Sequence, residues 1–383
     1  MIDSKSKNII FILPKPLNDF FYKNYISNLI ANGFKVSYWN LSKIFNYVGY
    51  DDNCTLDIEN RNFSCIDIFK NELKKLDDKS IICPQFTHNF YSRKVYGALS
   101  KSRCKKIFFG IGYLPTSIIS KKSFNEIIDR VLNSRSFIRL FFDSFYMRFL
   151  INYERKQLDI VFTSGNVAES IHKETAKKIV SVHHFDVNTY KYNCSEITLE
   201  KRYIVFLEEN VPHHPDSKNI SIYNYQQIDA EKYYNKINSF FDSIEEKFGY
   251  EVVIALHPST NKKDINFQNR KLFCGSTCNL IKNAEFVLIH ASTSISYAII
   301  NYKPIMFLDS SQYLPSAISS IIHKTSSIVS QPVHEFDNYR TSDLEAPIIN
   351  KVGYDSYRYK YLTKLPIEVD TNKIIVTELN RIL

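Results

Sequence analysis

Glycine is scarce in this chain, 9 residues in 383, and none of them falls into a Gly-x-Gly-x-x-Gly or Walker-type pattern. Dinucleotide oxidoreductases and P-loop kinases, which need backbone without Cβ atoms against phosphate, are poor readings. No Asp-x-Asp pair occurs either. Long apolar runs are missing. The longest uncharged stretch, Phe286 to Tyr302, contains His290, Ser292, Thr293, Ser294, Ser296 and Asn301, which argues against a bilayer span. The N-terminal apolar run meets Pro14 and Pro16 before any small-residue cleavage site, so it reads as a first strand and not as a secretory leader. Cysteine is odd in number and scattered (Cys54, Cys65, Cys83, Cys104, Cys194, Cys274, Cys278). In a chain long enough to bury its own core this predicts reduced thiols and a cytoplasmic protein. Cys274 and Cys278 lack a second cysteine pair and are expected in the core.

What is present is globular: 44% hydrophobic and 23% charged residues. The length favours two domains. A formal charge of +9 favours anionic partners, nucleotide sugars among them. The 26 Tyr and 28 Phe carry little functional weight. Short β-branched or aromatic runs alternate with helical patterns, which is the signature of βαβ units. Strands are expected at Asn8–Leu13, Phe34–Asn40, Ser80–Cys83, Lys106–Phe109, Ile160–Thr163 and Ile179–His183, then at Tyr203–Leu207, Glu251–Leu256, Lys271–Cys274, Phe286–Ile289 and Ile305–Leu308. Helices are expected at Asn18–Ala31, Asp67–Leu76, Phe124–Glu154, Ala230–Phe248, Ser276–Asn283 and Ser294–Asn301. The fold class is α/β: two Rossmann-like domains with mostly parallel sheets facing a central cleft. The first spans 1–190 and the second 191–354, with the junction in the weakly periodic stretch Asp186–Arg202. Residues 355–383 form a C-terminal segment expected to cross back to the first domain.

Three segments of the second half follow predicted strands, where open parallel sheets bind ligands. Glu208 and Glu209 end the run Val205–Leu207; adjacent like charges raise the pKa of one carboxylate toward use as a base. His257-Pro258 ends Val252–Leu256, and a histidine there can donate to a phosphate. Ser292, Thr293 and Ser294 open a short apolar helix whose hydroxyls and N–H groups suit an anion. Ser276, before Cys278, repeats that device more weakly. The plainer alternatives are a solvated acidic loop, a capped strand-end histidine and simple helix caps. Together the segments suit transfer from a phosphate-activated donor to a hydroxyl. His213, His214 and Asp216 lack matching ligands at a recognisable spacing, so no metal is expected.

The order Glu208-Glu209-Asn210, His257-Pro258, Ser292-Thr293-Ser294 resembles the acidic, His-Pro and Ser/Thr motifs of bacterial sialyltransferases and polysialyltransferases, and of related Kdo-transferring capsule enzymes. The resemblance covers mainly residues 203–310. It implies a GT-B glycosyltransferase that moves an acidic keto-sugar, a nonulosonate or Kdo, from a CMP-sugar to a hydroxyl of a bacterial surface glycan, without a metal or other cofactor. By that likeness Glu208 is the base, with Glu209 as the alternative. His257 binds the CMP phosphate, and Ser292, Thr293 and Ser294 hold the phosphate or the donor carboxylate; Pro258 and Ser276 stand beside them as nucleotide-binding candidates. The family's acidic motif ends in Gly where Asn210 stands here. The implied partners are a nucleotide-sugar donor and an oligosaccharide or lipid-linked acceptor. The aromatic helix bearing Arg135, Arg139, Arg148, Arg155 and Lys156 could contact the inner face of the cytoplasmic membrane, although core packing explains it as well. The clusters Lys101–Lys106 and Lys121-Lys122 sit in no RNA motif, so no nucleic-acid partner is expected. Two alternatives stand beside this reading: a GT-B transferase using a UDP- or GDP-sugar, and a non-catalytic sugar-phosphate-binding protein.

Overall fold

The computed structural model describes residues 7–47, 58–86, 88, 92–115, 158–194, 197, 199–214 and 228–383. The expected helix Phe124–Glu154, the pair Lys121-Lys122 and Asp216 lie outside these. Strands β1 (Asn8–Leu13), β2 (Lys35–Asn40), β3 (Glu59–Asn62), β4 (Ser80–Pro84), β5 (Lys105–Gly110), β6 (Leu158–Ser164) and β7 (Ala176–Val182) form one sheet. Strands β8 (Tyr203–Leu207), β9 (Glu251–Leu256), β10 (Leu272–Cys274), β11 (Val287–Ile289), β12 (Ile305–Asp309) and β13 (Val333–Glu335) form a second. The orders are β3-β2-β1-β4-β5-β6-β7 and β10-β9-β8-β11-β12-β13. Every recorded pairing is parallel. In each sheet the order reverses beside its first strand, which makes that strand's C-terminal end a ligand-binding position.

Parallel strands covered on both faces read as unbroken apolar runs. Thus β8, Tyr-Ile-Val-Phe-Leu, is buried at all five positions. The helix Ala230–Phe248 covers one face of the second sheet with Tyr233, Ile237, Phe240, Phe241 and Ile244. The Asp229 carboxylate accepts the Lys232 N–H at its start, and Gly249 ends it in the left-handed region, φ 70°. The first sheet has a core on each face. One is built from Ile9, Phe11, Ile81 and Phe162, the other from Ile10, Ile12, Trp39 and Phe69.

The chain then returns. The helix Lys351–Tyr357 packs in the second core, and the turn Arg358–Leu362 runs against the end of β6. There Ser164 Oγ donates to the Tyr361 carbonyl at 3.2 Å and the His184 N–H to that of Leu362 at 2.8 Å. The helix Thr371–Ile382 lays Leu379 into the first core with Ile374, Ile375 and Ile382 around it. Lys178 pairs with Glu378 and Lys7 Nζ donates to Asn380 at 2.7 Å.

Two features depart from the expectations. The stretch after Asp186 includes a helix, Phe185–Asn193. Cys194, at its end, is disulfide-bonded to Cys278 of the helix Thr277–Asn283, with Cα atoms 5.7 Å apart. The expectation of reduced thiols is therefore corrected for this pair: the chain fold brings together two cysteines 84 residues apart. Cys83 and Cys104 are buried free thiols, whereas Cys65 and Cys274 are exposed. Among the described residues no helix is long and apolar enough to cross a membrane.

Candidate functional site

The register of the second sheet assembles the site. Leu207 pairs with Ala255 of β9 and Ile289 of β11, so the residues that follow β8 emerge between those that follow β9 and β11. Glu208 is buried, 5% exposed, and turns toward β9. Its Oε2 accepts the Thr260 hydroxyl at 2.7 Å and the His257 N–H at 3.1 Å, and its Oε1 accepts the Asn210 N–H. Burial raises its pKa above the usual carboxylate range while these three donors pull it down. The carboxylate thus ties the acidic loop to the His-Pro turn.

Glu209, half-buried, turns the other way. Its Oε1 accepts the Ala291 N–H at 2.7 Å, at the start of the Ser/Thr loop after β11. Burial pushes its pKa up to about 8, the Glu208 charge adds to this, and the backbone N–H groups of Ala291, Ser292 and His290 restrain it. A carboxyl group poised near neutral pH at a strand end is suited to exchange a proton with a bound hydroxyl.

Asn210 has φ 53° and is 3% exposed. The left-handed region favours Gly and, among other residues, Asn. Asn210 therefore makes a left-handed turn at the position where the resembled motif carries Gly. Its Oδ1 is buried with no hydrogen-bond partner among the described residues.

At His257, Nδ1 accepts the Ser259 N–H at 3.1 Å and lies 2.7 Å from the Ser259 hydroxyl. In the neutral ring the proton therefore sits on Nε2, which becomes a donor. The His214 ring lies 5.2 Å away, centroid to centroid, edge to face. Pro258 is exposed and fixes the turn. After β11, Ser292 Oγ accepts the Ser294 N–H at 3.2 Å, Ser294 is half-buried and Thr293 is exposed. The helix that follows, Ile295–Ile300, is buried throughout. With the Ala291 and Ser292 N–H groups on Glu209 and the Ser294 N–H on Ser292, these three donors are held by the protein's own oxygens. Ser276 precedes the helix Thr277–Asn283, its hydroxyl donating to the Cys274 carbonyl at 3.3 Å; β9 separates it from the acidic pair. The acidic, His-Pro and Ser/Thr segments meet, then, while Ser276 stands apart.

Several polar residues around the site escaped sequence reasoning. Thr260 fixes Glu208, as above. His290, fully buried, donates from Nδ1 to the Leu308 carbonyl at 2.6 Å, so Nε2 receives the Tyr233 hydroxyl at 2.9 Å; burial holds its pKa down at about 4. Ser296 Oγ donates to the buried Asp186 carboxylate, joining the Ser/Thr loop to the helix that leads out of the first domain. Asp309, at the end of β12, accepts from Ser310 N–H at 2.8 Å and Ser319 Oγ at 2.7 Å and lies 3.0 Å from His323 Nε2. Its strand-end position follows the same rule as the other three segments, but the expected strand stopped at Leu308. In the first domain, Gly112 (φ 86°) turns the chain after β5 so that the Tyr113 hydroxyl meets His172 Nε2 at 2.8 Å. Burial moves Tyr113 up to about 12 and His172 down to about 4, so both stay neutral at ordinary pH. Among the described residues no three His, Cys, Asp or Glu side chains are grouped to hold a metal ion.

Neither a protein-family model nor a curated protein matches the chain. Solved structures do. The wall teichoic acid polymerase TagF is 10% identical, covers 98% of this chain and 88% of its own, and superposes with a TM-score of 0.51. MurG of Acinetobacter baumannii is 7% identical over 98% of this chain and 99% of its own, TM-score 0.49. UDP-GlcNAc 2-epimerase of Methanocaldococcus jannaschii, solved with UDP-GlcNAc and UDP, is 12% identical over 91% of this chain and 97% of its own, TM-score 0.41. With two parallel sheets each reversing order beside its first strand, and a C-terminal helix returned to the first domain, the chain has the GT-B fold.

Proposed function

We propose that the protein is a glycosyltransferase that moves an acidic keto-sugar from a CMP-linked donor to a hydroxyl of a glycan acceptor, with Glu209 as the base. The observation that carries this is the opposed orientation of the two glutamates. Glu208 is committed to three donors and acts by positioning the His-Pro turn. Glu209 accepts main-chain N–H groups of Ala291, Ser292 and His290 on the opposite side, and keeps a carboxyl of pKa about 8 at the junction of the acidic and Ser/Thr loops.

In the proposed step the acceptor hydroxyl oxygen bonds to the anomeric carbon as the bond from that carbon to the donor phosphate breaks. The hydroxyl proton passes to ionised Glu209, and the nucleotide leaves with the electron pair. The Nε2–H of His257 and the Ser292, Thr293 and Ser294 hydroxyls are the donors for charge developing on that phosphate. The motif order supports a CMP donor; the GT-B fold is common to other nucleotide sugars.

Thermal-shift titration with CMP, UDP and GDP, with and without EDTA, tests the donor. Selective stabilisation by CMP that EDTA does not change is expected. Preference for UDP or GDP would discard the keto-sugar assignment and keep the transferase. Tight nucleotide binding with no turnover from any donor would replace both with a binding protein.

A further inference from the structure

The two most exposed large apolar side chains among the described residues lie four residues apart: Ile348, 84% exposed, and Val352, 80%. Ile349 (39%) and Tyr359 (52%) extend the group along the returning segment, and the exposed Lys351 and Lys360 flank it. Their presentation is built. The Ile348 carbonyl is held by the buried Gln331 amide at 2.8 Å. Asn350 Oδ1 caps the next helix by accepting the Gly353 N–H at 2.8 Å. At Gly353 a Cβ would stand 2.8 Å from the Ile328 carbonyl oxygen, so the helix is pressed against its neighbour and its outer residues face away from the core. A rigid backbone thus holds bare aliphatic side chains in water, where the fold gains nothing from them.

We infer that this surface docks on an anionic lipid bilayer. Aliphatic and tyrosyl side chains interleaved with lysines match the two parts of a membrane interface, the acyl boundary and the anionic headgroups. Two exposed carboxylates accompany the two lysines: Asp355, three residues after Val352, which accepts the Tyr302 hydroxyl at 2.5 Å, and Glu345, three residues before Ile348. The overall charge of +9 favours an anionic surface. A second copy of the chain suits the patch less well. A two-fold contact would set Lys351 and Lys360 against their own counterparts, and four side chains fall far short of the ~800 Å² per partner of a stable interface. The inference stands independently of which sugar, if any, is transferred.

Co-sedimentation of the full chain with vesicles tests it, comparing phosphatidylcholine alone with an equal mixture of phosphatidylcholine and phosphatidylglycerol. Binding to the mixed vesicles only, falling at least tenfold in Ile348→Ser/Val352→Ser and weakening with salt, is expected. Both positions are at the surface, so an unchanged melting temperature separates lost docking from lost folding. Equal binding by that variant would overturn the inference, placing any membrane contact elsewhere on the chain. So would a wild-type dimer in sedimentation velocity that the same variant abolishes, which would make a second copy the occupant.

Discussion

Two adjacent glutamates, the same in side chain and one peptide apart, are sent by the sheet to opposite neighbours and acquire different chemistry. Glu208 is a structural acceptor. Glu209 carries a proton that the unfolded chain would release at ordinary carboxylate pH. Because folding raises its pKa to about 8, the native state binds more protons than the unfolded state between the usual carboxylate range and about pH 8, and stability falls as pH rises through that window. Glu209→Gln keeps the shape and removes the titration. It should abolish turnover and yet melt higher than the wild type at about pH 9, by on the order of 1 kcal/mol or more, with the two converging near pH 4. Wild-type turnover should rise with pH toward a limb near 8. Parallel melting-temperature profiles for the two proteins would show that Glu209 does not carry the raised pKa. The sequence showed a carboxylate pair at a strand end but not which member is committed, since the deciding donors, His257 N–H and Thr260 Oγ1, lie 49 and 52 residues away. By contrast, Asn210 in place of Gly becomes intelligible as soon as its φ is known.

Among elements, the central strands were legible nearly to the residue, because strands covered on both faces are uninterrupted β-branched and aromatic runs. β1, β8 and β9 have the expected bounds. β3, Glu-Asn-Arg-Asn, was invisible: it is an exposed edge strand supported by its ladder to β2 and by Lys35–Glu59 and Arg61–Glu72 ion pairs. The segment expected as one helix over Asn18–Ala31 is divided by a wider turn at Tyr22–Ile26. The serine-rich helix Ser316–Val329 carries too few strong helix formers to stand out. The helix Phe185–Asn193 is secured by contacts local sequence cannot show, among them Asp186 with Ser296 and the Cys194–Cys278 bond. The junction of β6 with the returning turn offers a test at this scale. Gly165 has φ 69°, and a Cβ there would stand 2.4 Å from the Lys360 carbonyl oxygen. Gly165→Ala should therefore destabilise by on the order of 3 kcal/mol or more, from backbone strain and a clash with main chain. Denaturant unfolding checks this; a midpoint within error of the wild type would mean the turn is free to move aside.

At the scale of the molecule, the α/β class and paired sheets follow from alternating strands and helices, whereas the attachment of the last helix depends on partners from the opposite end of the chain. Leu379 is fully buried among first-domain residues. Leu379→Ala should cost about 2–5 kcal/mol. The loss of amide-exchange protection should appear in β1 and β7 and spare β8, β9 and β12. Uniform loss across both sheets would instead mean that the two domains unfold as one unit.

That last helix also orders events during synthesis. Domains generally fold as they leave the ribosome, N-terminal first, but here the first sheet cannot complete one of its two cores until residues 371–382 have been made. The second domain, whose buried core is drawn from Val187 to Leu362, has every residue it needs sooner. The half of the protein that is translated first is thus the half that must wait longest to be finished.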